Sequence, residues 1–164
     1  MQPLTRIEHP IPPTWDARSE VLILGSFPSV KSRESGYFYG HPQNRFWRLL
    51  ALLYGESCPV GNAGKRAFLL RHRLAVWDVI ASCEIVGSSD SSITNAVAND
   101  LTPILAGSRV TRIFCNGTTS YRLYGKYIQP VTGIEAVCLP STSPANAAWS
   151  LDRLIETWGA ALNP

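Results

Sequence analysis

The sequence predicts an α/β protein, a three-layer α/β/α sandwich with a central, mainly parallel four-stranded sheet. Three observations predict it. Four short runs rich in β-branched and apolar residues recur along the chain, helical stretches lie between them, and no repeat, charge block or low-complexity linker interrupts the alternation. Alternation of this kind builds parallel sheets covered by helices on both faces, because each crossover must pack back onto the sheet. With 164 residues, 45% hydrophobic and 16% charged, the chain has the size and balance of one domain. Disorder, collagen and coiled coil are excluded.

Residues 1–20, with Pro10, Pro12 and Pro13, are expected as an extended arm ahead of a single domain spanning 21–164. Val21-Leu22-Ile23-Leu24 is the first strand. Helices are expected at Arg45 to Tyr54 and Ala63 to His72, before a strand at Leu74-Ala75-Val76-Trp77. These two strands are nearly continuous apolar runs, the pattern of strands covered on both faces. A helix from Ile93 to Ala106, strands at Val110 to Phe114 and Ile134 to Cys138, and a last helix from Ala147 to Ala161 complete the reading.

Composition excludes several functions. The net charge of +3 tolerates a polyanion without requiring one. Cys58, Cys83, Cys115 and Cys138 form no CxxC pair, so no metal site has local spacing to support it. The start, MQPLTRIEHP, lacks the apolar stretch of an export signal, and no run of about 18 apolar residues occurs. A soluble, reduced, cytoplasmic protein without disulfides, metal or membrane contact is expected.

Ligands of open α/β sheets gather beyond the carboxyl ends of the strands, so the loops that follow the strands matter most. They are Gly25-Ser26-Phe27-Pro28-Ser29, Asp78, Cys115-Asn116-Gly117-Thr118-Thr119 and Pro140-Ser141-Thr142-Ser143-Pro144-Ala145-Asn146. Small, polar and stiffened by Gly or Pro, they suit a phosphate-hugging rim of N–H groups and hydroxyls. They are equally the punctuation of any α/β protein. Gly36 to Trp47 discriminates better, with Tyr37, Phe38 and Tyr39, a His41-Pro42 turn, and Asn44 ahead of a helix. An aromatic face beside a polar cap is what a flipped-out nucleobase needs. Two readings of Asn44 stand at this point: a polar site residue, or simply a cap for the following helix.

Gly25-Ser26-Phe27-Pro28-Ser29, His41-Pro42-Gln43-Asn44-Arg45-Phe46-Trp47 and Ser141-Thr142-Ser143-Pro144-Ala145-Asn146, in that order, resemble the uracil-DNA glycosylase superfamily. Within it the sequence is most similar to the hypoxanthine-DNA (deoxyinosine) glycosylase branch, and less so to the mismatch-specific uracil-DNA glycosylases. The resemblance implies a monomeric base-excision-repair enzyme, free of metal and cofactor, that acts on DNA containing deaminated bases and hydrolyses the N-glycosidic bond of the flipped base.

It also implies roles for residues. Mismatch-specific relatives hold a water-activating Asn in the first loop, where this chain has Phe27. The resemblance therefore shifts the catalytic, water-positioning role to Asn44, with a helix cap as the other reading. Tyr39 matches the stacking aromatic, and Phe27 either closes the opposite face of the base or fills the vacated water site. Asp78 matches the reader of the base edge. Its carboxylate accepts the N1–H of hypoxanthine or the N3–H of uracil and repels the N1 lone pair of adenine; a helix cap or Arg partner is the plain alternative. The DNA-binding residues are expected to be Ser29 and Asn116 together with Ser141, Thr142, Ser143, Pro144, Ala145 and Asn146. Ala145 stands where relatives carry a bulkier wedge, which favours lesions that already pair badly.

His9 and His72 are expected to be solvated, and His41 to serve as a turn or phosphate contact. The alternatives of the same fold are a mismatch-specific uracil-DNA glycosylase and a catalytically weak module that binds damaged or single-stranded DNA. A hydrolase of small nucleosides or esters is disfavoured, because no Gly-x-Ser-x-Gly elbow or paired carboxylate spacing occurs.

Overall fold

The computed structural model describes residues 4–164. The chain runs β1 (Thr5–Glu8), β2 (Val21–Gly25), α1 (Val30–Ser35), α2 (Phe46–Tyr54), α3 (Gly61–Arg71), β3 (Leu74–Asp78), β4 (Ile80–Ile85), a 3-10 turn (Asp90–Ser92), β5 (Thr94–Ala98), α4 (Thr102–Gly107), β6 (Arg112–Asn116), α5 (Thr118–Tyr127), α6 (Gln129–Thr132), β7 (Ala136–Leu139) and α7 (Leu151–Leu162).

The central sheet has the order β3-β2-β6-β7, and all three pairings are parallel. All of β2 is buried, as the middle of a sheet covered on both sides requires. Side chains alternate across it. Val21 and Ile23 join Phe46, Leu50, Phe68 and Trp158 of α2, α3 and α7, whereas Leu22 and Leu24 join Ile104, Leu123 and Tyr124 of α4 and α5. The three-layer sandwich and its four parallel strands are thus as the sequence predicts.

Local chemistry sets the helices around this sheet. Phe46, Trp47, Leu49 and Leu50 put the buried stripe of α2 on one face, and Gly55 ends it in the left-handed region at φ 65°. Ser150 caps α7 by accepting from the Arg153 N–H, and the Trp158 indole N–H donates to the Pro140 carbonyl at 2.9 Å. That bond ties α7 to the start of the loop that follows β7.

Two expectations change. Ile93 to Ala106 is not one helix: β5 forms first, and α4 starts only at Thr102 with Pro103 in its first turn. Ile93, Thr94 and Val97 suit a strand, and Asn99 and Asp100 break the run before Pro103. This strand belongs to a second, antiparallel sheet, β1-β4-β5, that the alternation pattern did not reveal.

Residues 1–3 of the stretch expected as an arm lie outside the described residues, and much of the rest is packed into the domain. Thr5–Glu8 pairs with Ile85 back to Ser82, and Thr14 exchanges two backbone hydrogen bonds with Val76 at 3.0 Å each. Ile11 lies in the core at 2% exposure. Ile11→Ala should therefore cost about 2–5 kcal/mol, the range for emptying a core site. Denaturant unfolding checks this, and a loss within about 0.5 kcal/mol, the range of ordinary surface changes, would show the segment to be dispensable.

Candidate active site

The carboxyl ends of β2, β3 and β6 and the loop after β7 surround a cavity of about 310 Å³. Gly25 ends β2 there because nothing larger fits. A Cβ on it would lie 2.4 Å from Asp78 Oδ1 and 3.2 Å from the Tyr39 hydroxyl. The predicted residues Phe27, Ser29, Tyr39, Asn44, Asp78, Asn116, Ser141, Thr142, Ser143, Pro144 and Ala145 all line this cavity. Asn146 does not; its side chain donates to the Ser141 carbonyl and braces the loop from behind.

Asn44 sits between the His41-Pro42 turn and α2. Its Oδ1 accepts from the Phe46 N–H at 3.0 Å and from the Thr142 hydroxyl at 2.8 Å. Both lone pairs of the oxygen are then occupied, so Nδ2 is the free end of the amide. Asn44 thus both binds the first N–H of α2 and lines the cavity, and its two accepted bonds decide which atom is left over.

Thr142 and Asn116 clasp each other. Asn116 Nδ2 donates to Thr142 Oγ1 and Asn116 Oδ1 accepts from the Thr142 N–H, both at 3.0 Å. Thr142 is 0% exposed and its hydroxyl already donates to Asn44. The expectation that Thr142 contacts a phosphate is therefore corrected, since no donor of its side chain remains and no solvent reaches it. Asn116 likewise points at Thr142 instead of outward. Ser29 caps α1 by accepting from the Ser32 N–H and donates to Ser32 Oγ. Ser141 and Ser143 accept from the N–H groups of Ser143 and Ala145 and keep their hydroxyl protons, while Pro144 and Ala145 stand exposed at the tip.

Arg45 holds this loop. Its guanidinium donates to the carbonyls of Ser143 at 3.0 Å and Asn146 at 3.2 Å, and also to that of Trp149, while its backbone N–H donates to Thr142. An Arg fork with its donors on loop carbonyls is a structural clamp rather than part of a DNA-facing rim. Gly117, at φ 103°, starts α5 where a Cβ would meet Ser141 at 3.1 Å, so glycine is required on both counts.

Tyr39 occupies the left-handed region at φ 53°, and its ring stacks on Phe46 with centroids 4.0 Å apart. One face is thereby covered. The hydroxyl is buried without a hydrogen-bond partner among the described residues. Burial first and the Asp78 charge second push its pKa well above the usual phenol value. Phe27 is a buried wall whose ring meets the His9 imidazole edge-on at 5.8 Å.

Sequence reasoning missed two of the site's groups. His9, expected in solvent, has a buried side chain, and its Nε2 lies 2.7 Å from Asp78 Oδ2. No local pattern pointed there, because the contact depends on β1 pairing with β4. Asp90, in the 3-10 turn between β4 and β5, lines the cavity and accepts from the Ser26 hydroxyl at 2.9 Å. The run Gly87-Ser88-Ser89-Asp90-Ser91-Ser92 is a polar loop like those after the strands, and would have been noticed had β4 been read as a strand.

Burial first, and the charge of Asp78 after it, raise the pKa of Asp90. A carboxyl raised on folding gives stability that is complete at acid pH, below its unfolded value, and is lost as pH rises through its folded value. Asp90→Asn keeps the acceptor for Ser26 and removes the charge. It should raise the melting temperature at pH 8 and lose that gain as pH falls to about 4, near the ordinary carboxyl value. A melting difference that stays flat over that span would contradict the assignment.

The profile of the Uracil DNA glycosylase superfamily matches residues 12–161. A protein named hypoxanthine DNA glycosylase from Methanosarcina acetivorans is 36% identical over 159 residues, covering 94% of this chain and 97% of the relative. One of the same name from Methanosarcina barkeri is 34% identical, covering 92% and 94%. The fold superimposes on the solution NMR structure of a uracil DNA glycosylase candidate from M. acetivorans with a TM-score of 0.81, at 32% identity and covering 96% and 97% of the two chains. The chain belongs to the uracil DNA glycosylase superfamily.

Proposed function

We propose that this chain is a monofunctional DNA glycosylase of base excision repair that removes hypoxanthine from DNA, working as a single chain without a metal. One observation carries the reading: Tyr39 and Asn44, from the connection between α1 and α2, and Asp78, from the end of β3, line one cavity at the strand ends. The names and coverage of the two Methanosarcina relatives support the choice of hypoxanthine. Among the described residues no group of three or more His, Cys, Asp or Glu gathers to hold a metal. No helix among them is long and apolar enough to cross a membrane.

The reaction exchanges one bond for another. The C1′–N9 bond breaks with its electron pair going to the base, water adds to C1′, and a water proton ends on the released hypoxanthine. The departing base leaves an oxocarbenium-like sugar, so preorganised dipoles count for more than a strong base. With its oxygen committed to Phe46 and Thr142, Asn44 offers N–H donors. It holds water by the oxygen, leaving a lone pair of that water for C1′. Asp78 Oδ1, free in the cavity, accepts the N1–H of hypoxanthine and meets only a lone pair on adenine. The open ring face of Tyr39 stacks on the base with Phe46 behind it, and Phe27 forms the facing wall. Ser141, Ser143, Pro144 and Ala145 meet the DNA strand beside the lesion, with small residues at the tip that fit a base already poorly paired.

Two variants test these roles in single-turnover excision from deoxyinosine duplexes, read by alkaline strand cleavage. Asn44→Ala should lower the rate about 10²–10³-fold, the loss typical of one preorganised donor, while retaining DNA binding. Asn44→Ser, which keeps a hydroxyl for capping α2, should recover stability and not rate; a rate matching the parent would leave Asn44 as a cap alone. In Asp78→Asn, His9 claims the amide oxygen and turns NH₂ into the cavity, toward the N1–H of the base. Hypoxanthine excision should fall about 10–100-fold and its preference over adenine should narrow. An unchanged preference would place the base reader elsewhere. Deoxyinosine strands that stay intact with the parent protein would favour the binding module.

A further inference from the structure

We propose that His9 is a positioning residue for base selection: its imidazole pins one carboxylate oxygen of Asp78 so that the other faces the flipped base, making the N-terminal segment part of the specificity pocket. The proposal deepens the reading of Asp78 as base reader and rests on it.

His9 Nδ1 accepts from the Ile11 N–H at 3.2 Å, so the ring proton sits on Nε2 and donates to Asp78 Oδ2 at 2.7 Å. This bond has one sense only. Asp78 is nearly sealed, its side chain 5% exposed and that of His9 3%. Among the described residues His9 is the only basic side chain at ion-pairing distance from Asp78, and no side chain or backbone group donates to Asp78 Oδ1. That oxygen lies at the cavity end of Gly25. A buried carboxylate with one oxygen tied and the other untied has its remaining acceptor capacity aimed into the cavity.

The imidazole cannot drift from this position. Its ring packs against Phe27 at 5.8 Å, Phe38 at 6.2 Å and Trp77 at 6.2 Å. The backbone is held on both sides. His9 N–H donates to the Ala81 carbonyl at 2.7 Å, and the Trp77 indole N–H donates to the Ile11 carbonyl at 3.2 Å. The segment is thus fastened to β4 ahead of the imidazole and to β3 behind it. Asp78 in turn is fixed at its own backbone, where its carbonyl accepts from Asn99 Nδ2 at 2.9 Å. The end of β3 presents Asp78 and the segment after β1, fastened to β3 and β4, presents His9, which is how a site holds a donor and an acceptor in register. Without the His9 donor, the carboxylate is free to rotate and to draw water into the place of the base.

Three substitutions of the full chain test this. His9→Leu fills the aromatic box without a donor, His9→Gln keeps an N–H near the place of Nε2, and His9→Leu/Asp78→Asn completes a double-mutant cycle. Folding is checked by thermal unfolding, and single-turnover excision and DNA affinity are measured on hypoxanthine and adenine duplexes. His9→Leu should lower the hypoxanthine rate about 10–100-fold and narrow the preference over adenine, with binding of undamaged DNA unchanged. His9→Gln should restore most of both, and the double variant should lose much less than the product of the single losses. A folded His9→Leu protein with parental rate and preference overturns the proposal while leaving Asp78 as the reader, provided that Asp78→Asn shows its loss. Failure of His9→Gln to recover rate or preference, or full additivity in the cycle, also overturns it. If Asp78→Asn has no effect, the reading of Asp78 falls and the proposal with it, whatever His9→Leu does.

Discussion

The seam between the turn ahead of α2 and the loop after β7 is the constraint on which the cavity depends. Residues almost a hundred positions apart meet there. Asn44 accepts from Thr142, Thr142 is clasped by Asn116, and the next residue, Arg45, gathers carbonyls from Ser143, Asn146 and Trp149. The two halves of this seam act differently. The Arg45 fork sets where the loop lies, and the Thr142 hydroxyl sets which end of the Asn44 amide is spare. Turning over either amide of this network would set donor against donor or acceptor against acceptor, which favours a single arrangement.

The charges around the cavity follow a related division. Asp78 and Asp90 both reach it, and their surroundings treat them differently. A ring N–H donates to one oxygen of Asp78, whereas burial, with the neighbouring carboxylate after it, raises the pKa of Asp90. By contrast, Cys115, pushed up to about 12 by burial, is simply part of the packing beneath.

The parts of the fold that sequence made legible were those governed by local periodicity. Val21–Leu24 and Leu74–Trp77 could hardly be anything but covered strands, and α2 and α7 carry their apolar stripes at helical spacing. The second sheet was hidden because its strands draw their stability from each other. Thr5–Glu8 is mostly exposed, and Thr94–Ala98 has the small and polar residues of an edge. The site shows the same divide. Asn44, Tyr39 and Asp78 stood in motifs or at strand ends, whereas His9 and Asp90 depend on that unseen sheet. Thr142 was legible as a site residue, but its role was not, since whether a hydroxyl faces inward is decided by a partner at Asn44 and not by its own neighbours.

The seam also bears on biosynthesis. The turn holding Asn44 leaves the ribosome long before the segment carrying Thr142 exists, and β1 emerges well ahead of the strand it pairs with. Such long-range pairings close only once both members have been made. A chain released early therefore has the first loop and the aromatic turn but neither the hydroxyl that orients the amide nor the carbonyls that occupy Arg45. A chain that stops before Thr142 thus has neither the seam nor the cavity wall that the seam holds in place.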